Sequence, residues 1–81
     1  MKIRVLFFAQ LQEIFGTSER IIEMPQGAKA GDCLRLLFGE SKNTTLASIQ
    51  IRPAVNERFV NDEQTLENND VLALIPPVSG G

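Results

Sequence analysis

The sequence has no histidine, tryptophan or tyrosine and only one cysteine among its 81 residues. Histidine is the commonest general base of enzymes and a ligand of most catalytic zinc sites, so an independent enzyme would depend on carboxylates and lysines. The single thiol, Cys33, excludes an intrachain disulfide, a four-thiolate iron–sulfur cluster and a cysteine-rich zinc site. A free cysteine is usually a small buried apolar residue, and we expect Cys33 in the core. These absences favour a reducing, cytoplasmic setting and a protein without a bound metal.

Long apolar runs and an excess of positive charge are also missing. No segment approaches the ~20 apolar residues of a membrane helix, and the apolar run after Lys2 and Arg4 is short for a signal peptide. The net charge of -2 and the pI of about 5.0 argue against nucleic acid as a partner, because phosphate binding needs a basic surface. Five of the ten acidic residues lie between positions 57 and 70, where a solvated loop is favoured over a docking site for a basic partner.

What the chain does contain is ordinary material for one folded domain, 43% hydrophobic and 22% charged. Residues 2–8 predict a strand that is apolar on both faces, with Ile3, Val5 and Phe7 on one face and Leu6 and Phe8 on the other. Residues 71–75 have the same character. Two-sided apolarity is typical of central strands, so we expect these two strands to be parallel neighbours joined by a crossover.

The segments between the two end strands predict a helix and shorter elements. A helical turn is expected at residues 10–15, closed by Gly16, and a strand at residues 20–24. The main helix is indicated by apolar residues at helical spacing, namely Ala30, Leu34, Leu37 and Phe38. Gly39 is placed to end this helix. The helix start is weak, because Gly31 lies in the first turn and no serine or threonine precedes it.

A second pair of strands follows the helix. Residues 54–56 and 58–60 flank a tight polar turn, and Pro53 predicts an edge strand because proline has no N–H for a second neighbour. Residues 68–70 then turn the chain into the final strand. The order of elements predicts an α+β roll over residues 1–75, with a mixed sheet packed on one main helix.

The last six residues, 76–81, predict an extended functional tail. Pro76 and Pro77 fix φ and favour a stiff exit from the domain, and Val78 and Ser79 lead to Gly80 and Gly81. Glycine has no Cβ, so the last two residues can enter a narrow channel in another protein. A terminal carboxylate on Gly81 could be activated as an acyl adenylate and captured by sulfur or an amine. The alternative is a frayed end or a cloning remnant without function.

Four stretches of the sequence resemble one known family. They are Val5-Leu6-Phe7-Phe8-Ala9, Ala54-Val55-Asn56, Asn69-Asp70 and Ile75-Pro76-Pro77-Val78-Ser79-Gly80-Gly81. Together they resemble the small subunits of molybdopterin synthases, and the resemblance covers essentially the whole chain. It implies a ubiquitin-like β-grasp fold, in agreement with the roll expected above. Two departures are minor: residues 29–32 lack the threonine often found at the helix start, and Ser79 replaces the usual threonine.

The resemblance implies a sulfur carrier that binds no cofactor of its own and is not an enzyme on its own. Gly81 would be adenylated with ATP by an adenylating enzyme similar to ubiquitin-activating enzymes, and a sulfur donor protein would then convert it to a thiocarboxylate. The tail would enter the large synthase subunit, where sulfur passes to cyclic pyranopterin monophosphate to build the dithiolene of molybdopterin. A heterotetramer of two small and two large subunits is implied as well.

The resemblance also implies an apolar contact patch for partners, formed by Phe8, Phe59 and Ile75 together with the tail residues 76–79. The competing interpretation is that these side chains only complete the core. Three other functions stay open. The chain could carry sulfur to another product, such as a thiazole or a modified tRNA base. It could be a ubiquitin-like modifier joined to lysines through Gly81, or an interaction module with an inert tail.

Overall fold

The structure, a computed structural model, describes residues 1–40 and 50–77. Its elements in chain order are strand β1 (Lys2–Phe7), helix α1 (Gln10–Phe15), strand β2 (Glu19–Glu23), helix α2 (Ala30–Glu40) and strands β3 (Arg52–Val55), β4 (Arg58–Phe59) and β5 (Val71–Ile75). The tail residues Val78, Ser79, Gly80 and Gly81 lie outside the described residues, so the interpretation of the tail from sequence has no structural counterpart.

The strands form one mixed sheet in the order β2-β1-β5-β3-β4. Strand β5 lies in the middle, parallel to β1 and antiparallel to β3, while β2 and β4 form the two edges. The parallel pairing of the two end strands, which was predicted from their two-sided apolarity, is confirmed. Helix α2 packs on one face of this sheet, so the predicted α+β roll is confirmed as well.

The core lies between α2 and the sheet face that it covers. Alternate residues of β1 and β5 point into the core, and they are at most 1% exposed: Ile3, Val5, Phe7, Leu72 and Leu74. The helix contributes residues three or four positions apart, which are Ala30, Cys33, Leu34 and Leu37. These two spacings match the periods of a strand and a helix, so alternation in the sequence predicts the core directly. The predicted burial of Cys33 is confirmed at 0% exposure.

The opposite face of the sheet, which we call the open face, carries the other set of alternating residues. Leu6 on β1 and Val71, Ala73 and Ile75 on β5 are all apolar, yet they are only half-buried. This face has no helix packed on it in the described part of the chain. The two-sided apolarity of β1 and β5 therefore reflects one covered face and one open face.

Positive backbone φ angles mark the tight turns. Gly16 closes α1 at φ 74°, and its N–H donates to the carbonyl of Gln12 at 2.8 Å, which confirms the predicted helix stop. The hairpin between β3 and β4 turns at Asn56 and Glu57, with φ of 49° and 73°. Positive φ at both central residues is the pattern of a two-residue hairpin turn whose twist matches the strands.

Two expectations about local structure are wrong. Pro53 does not lie in an edge strand, because β3 pairs with β5 on one side and β4 on the other. The Pro53 carbonyl accepts the Val60 N–H at 3.0 Å, and the nitrogen of a strand residue faces the same side as its carbonyl. The Pro53 nitrogen therefore faces the β4 side, at a point just past the end of that two-residue strand. Gly39 does not end the main helix, because α2 includes it and extends to Glu40. Helical glycine is tolerated where other contacts hold the helix.

A distant loop caps the start of α2. The N–H groups of Ala30 and Gly31 donate to the carbonyls of Gln64 and Asp62, both at 2.9 Å. Asp32 adds a third bond, accepting the Lys29 N–H at 2.8 Å. The first N–H groups of any helix have no partner within the helix, and here residues from a separate part of the chain satisfy two of them. This explains how the helix begins although no serine or threonine precedes it.

Gly31 is needed for that loop to approach. A Cβ atom at this position would lie 3.0 Å from the Asp62 Cβ and 3.2 Å from the Asp62 carbonyl oxygen. From the sequence alone, Gly31 appeared to weaken the helix. In the structure it allows the contact that caps the helix.

Candidate partner-docking site

The three apolar residues predicted to form a partner patch meet on the open face. Phe8, Phe59 and Ile75 line one open cavity of about 510 Å³, which we call the apolar groove. The rest of its lining consists of Leu6, Ala54, Val71 and Ala73 with two polar residues, Asn56 and Glu57. Phe8 is 42% exposed and Phe59 55%, so neither ring completes the core. A contiguous exposed apolar surface of this kind is typical of protein interaction sites.

Strand register explains the shape of the groove. Ala73 on β5 lies between Leu6 of β1 and Ala54 of β3, and Ala54 lies opposite Phe59 of β4. The two alanine side chains are short, so they form the floor of the groove. Larger side chains from β1 and β4 form its sides.

Phe8 reaches the groove by a different route, because it follows the end of β1. Its carbonyl accepts the N–H of Leu11 at 3.0 Å, which joins it to the first turn of α1. The next residue, Ala9, has φ 52°, an unusual angle for a non-glycine residue that turns the chain into the helix. Sequence alone placed Phe8 in β1, whereas the strand ends at Phe7.

Asn56 ties the β3–β4 hairpin to β5. Its side-chain oxygen accepts the Val71 N–H at 3.0 Å, and its amide group donates to Asp70 Oδ1 at 3.0 Å. Its backbone N–H also donates to the Val71 carbonyl at 2.9 Å. These three bonds hold the hairpin, and with it Phe59, against the central strand. The sequence comparison above included Asn56, Asn69 and Asp70 but predicted no such role for Asn56.

Arg52 covers one rim of the groove. Its Cζ atom lies 4.0 Å from the centre of the Phe59 ring, which is within range for a cation–π contact. Sequence reasoning missed this residue. The available signal was alternation, because Arg52 and Ala54 are two positions apart and therefore share the open face.

The tail leaves from the end of β5 beside the groove. Ile75, the last residue of β5, lies opposite Arg52 in the register. Pro76 is buried and Pro77 is exposed. The chain therefore stays against the domain for one residue beyond the predicted boundary at 75, and the Pro76 ring offers little surface to a partner. The roles predicted for Pro76, Pro77, Val78, Ser79, Gly80 and Gly81 stay predictions.

Among the described residues, a shifted pKa occurs at one buried thiol and at three surface groups. Burial raises the pKa of the Cys33 thiol to about 11, with a smaller contribution from Asp32, so the thiol stays protonated and unreactive at neutral pH. A hydrogen bond from Arg4 lowers the pKa of Glu19, and the two form a paired contact at 2.7 and 3.0 Å. Within residues 1–40 and 50–77, no group of three or more His, Cys, Asp or Glu side chains could hold a metal ion. No helix of that part is both long and apolar enough to span a membrane.

Comparison with known proteins gives matches over nearly the full length. Residues 5–81 match the ThiS family. The molybdopterin synthase sulfur carrier subunit of Arabidopsis thaliana is 32% identical over 81 residues, covering 100% of this chain and 84% of the relative.

Solved structures give the same result for the fold. SAMP1 from Haloferax volcanii matches with a TM-score of 0.85 at 26% identity, covering 100% of both chains. A chain in the complex of subunits 1 and 2 of the molybdopterin-converting factor from Helicobacter pylori matches with a TM-score of 0.68 at 26% identity, again covering 100% of both chains. The resemblance found in the sequence and the β-grasp fold that it implied are both confirmed.

Proposed function

We propose that this chain, which belongs to the ThiS family, is the sulfur-carrier subunit of a molybdopterin synthase. The observation that carries the proposal is the position of the apolar groove next to the tail. Ile75 lines the groove and is followed two residues later by exposed Pro77. A partner that covers the groove would therefore take up the tail in the same encounter. The name of the Arabidopsis relative and the complex formed by the Helicobacter subunits support this assignment.

The proposed chemistry takes place at Gly81. Its terminal carboxylate attacks the α-phosphorus of ATP on an adenylating enzyme, which releases pyrophosphate and leaves an acyl adenylate. A persulfide of the donor protein attacks the adenylate and displaces AMP, and a second thiol then cleaves the S–S bond, which leaves a thiocarboxylate on Gly81 and a disulfide between the second thiol and the donor. In the large synthase subunit the thiocarboxylate sulfur bonds to a carbon of cyclic pyranopterin monophosphate, and water then cleaves the bond between that sulfur and the Gly81 carbonyl carbon, which returns Gly81 to a carboxylate. The chain contributes a covalently carried nucleophile, while bases and phosphate-binding cations come from its partners.

The groove would serve more than one partner in turn. The adenylating enzyme and the large subunit both have to hold the same tail, so both would cover the face that carries Phe8, Phe59 and Ile75. We propose that the complex with the large subunit contains two copies of each chain. Light scattering of the purified complex measures this stoichiometry directly.

Intact mass after co-expression with the adenylating enzyme and a sulfur donor tests the carrier mechanism. Replacement of a carboxylate oxygen by sulfur adds roughly 16 Da, and fragmentation should place the change on Gly81. Gly81→Leu should fold normally and lose both the mass change and sulfur transfer. Gly39→Ala is the matched control, because a Cβ at that helical glycine meets nothing within 4 Å. A carboxylate that persists in the presence of a competent adenylating enzyme would contradict the carrier mechanism.

A second function is favoured by the match to SAMP1, a name that stands for small archaeal modifier protein 1. As a modifier, the chain would form isopeptide bonds between Gly81 and lysines of other proteins. Denaturing gels separate the two functions, because conjugates survive denaturation and a bound large subunit does not. Conjugates that depend on Gly81 would favour the modifier, and a thiocarboxylate without conjugates would favour the carrier.

A further inference from the structure

The geometry points to Arg52 as a specificity-determining residue, whose guanidinium pairs with a carboxylate of the partner that covers the apolar groove. This inference rests on the proposed function, because it concerns the partner of the same groove. It identifies that partner by its chemistry: an apolar projection that enters the groove, with an acidic side chain at the end next to the tail.

Strand register places Arg52 at the end of the groove where the tail begins. Arg52 is the first residue of β3 and lies opposite Ile75, the last residue of β5. It is two positions from Ala54, which lines the groove, and so shares the open face, whereas Val55 belongs to the core on the other face. Any partner that holds both the groove and the tail must pass over this position.

The stacking of Arg52 on Phe59 leaves its polar edge available. Its Cζ atom lies over the Phe59 ring, 4.0 Å from the ring centre. The five N–H donors of arginine lie in the plane of the group and point away from such a contact. Contact with the ring also limits the motion of the side chain, which lowers the entropy cost of forming a directed ion pair.

Arg52 has no acidic partner within the described residues, whereas at least three other cations of the chain have one. Arg4 pairs with Glu19 at 2.7 Å, Lys29 pairs with Glu63 at 3.0 Å, and Arg35 pairs with Asp32. The groove itself offers one acidic residue, Glu57, but it lies at the hairpin turn, at the other end of β3. The rim of the groove thus has a cation near the tail and an anion at the far end.

This arrangement selects a partner and fixes its orientation. A partner that covers the groove removes water from Arg52, and a charge left without water or a counterion is costly. A carboxylate at that point offsets the loss, whereas a lysine or arginine there adds repulsion. The opposite charge of Glu57 disfavours the same partner in the reversed orientation. Phe8 and Phe59 supply apolar contact, and Arg52 decides which apolar partner fits.

Arg58 provides a matched control on the same hairpin. It is exposed, it precedes Phe59, and it lies opposite Val55, so its side chain points to the other face of the sheet. Arg52→Glu and Arg58→Glu make the same change in net charge on the two strands of one hairpin, three register positions apart. Arg52→Leu removes the charge and keeps apolar contact with the Phe59 ring. Thermal unfolding of each variant verifies that the fold is intact.

The test is calorimetric titration of each variant with the molybdopterin synthase large subunit of the same genome, at ~50 mM and ~200 mM salt. We expect Arg52→Glu to weaken binding about tenfold or more, and Arg58→Glu by less than about threefold. Arg52→Leu should bind with a smaller salt dependence than the unmodified chain. Equal effects of Arg52→Glu and Arg58→Glu, or an unchanged affinity of Arg52→Glu, would overturn the role of Arg52. If the unmodified chain does not bind the large subunit, the proposed function itself is wrong.

Discussion

Gly31→Ala and Gly39→Ala should change stability in opposite directions, although both replace a glycine of the same helix α2. Helix propensity alone predicts that each substitution stabilises the protein, by up to about 1 kcal/mol. The surroundings of the two residues differ. A Cβ at Gly39 meets nothing within 4 Å, whereas a Cβ at Gly31 comes within 3.0 Å of the Asp62 Cβ and 3.2 Å of its carbonyl oxygen.

The Asp62 loop cannot move away from Gly31 without losing hydrogen bonds. The same Asp62 carbonyl accepts the Gly31 N–H at 2.9 Å, and the neighbouring Gln64 carbonyl accepts the Ala30 N–H at the same distance. Overpacking of this kind costs about 1 to 3 kcal/mol, and a weakened hydrogen bond about 1 kcal/mol more. After subtraction of the propensity gain, we expect Gly31→Ala to destabilise the protein by about 1 to 3 kcal/mol. Gly39→Ala should stabilise it by about 0.5 to 1 kcal/mol.

Urea unfolding at equilibrium measures both effects. With a slope of about 1 kcal/mol per molar urea for a domain of this size, the midpoint should fall by about 1 to 3 M for Gly31→Ala. For Gly39→Ala it should rise by about 0.5 to 1 M. If both variants raise the midpoint by similar amounts, the loop does not constrain the start of α2 and the reasoning from close approach is wrong.

Three further predictions concern docking, the thiol and pH. Phe8→Ala should weaken binding of the large subunit roughly 30-fold by titration, because the exposed 42% of Phe8 offers about 80 Å² to a partner. Leu36→Ala is the control: Leu36 is 40% exposed but lies on α2, so its replacement should have little effect on binding. Cys33 should resist a thiol-alkylating reagent at pH 7 in the folded protein and react once urea unfolds it, and rapid labelling of the folded protein would contradict its burial. The pKa of Asp32 is lowered, first by its hydrogen bond from the Lys29 backbone. The Asp32 carboxylate therefore stabilises the folded protein at pH values above its unfolded pKa, and this stabilisation is lost as the pH falls through the lower folded pKa. Asp32→Asn should flatten the dependence of the unfolding free energy on pH in that range.

Several features of the fold follow from the sequence because they depend on local periodicity. Alternation in residues 2–8 predicts which side chains of β1 enter the core, and the apolar second face of β1 and β5 predicts that they are neighbours. Helical spacing predicts the buried side of α2. In each case the period of the backbone decides which face a side chain takes, and that period is the same in every protein. The resemblance to a known family adds the β-grasp fold and the apolar patch, and the structure brings Phe8, Phe59 and Ile75 into one groove.

Other features depend on which distant residues become neighbours, and only the tertiary structure decided them. Pro53 is tolerated in an interior strand because its nitrogen, which has no N–H, faces the side where the two-residue strand β4 has already ended. Gly31 is required by the carbonyl of Asp62, 31 positions along the chain. Arg52 meets the Phe59 ring, and Pro76 stays buried beyond the last strand. Periodicity assigns a side chain to a face, but the atoms it contacts there are set by the pairing of strands and loops far apart in sequence. The sequence alone therefore determines the sheet, the helix and the face that the groove occupies. The folded chain determines the contacts that cap the helix and the position of Arg52 at the rim of the groove.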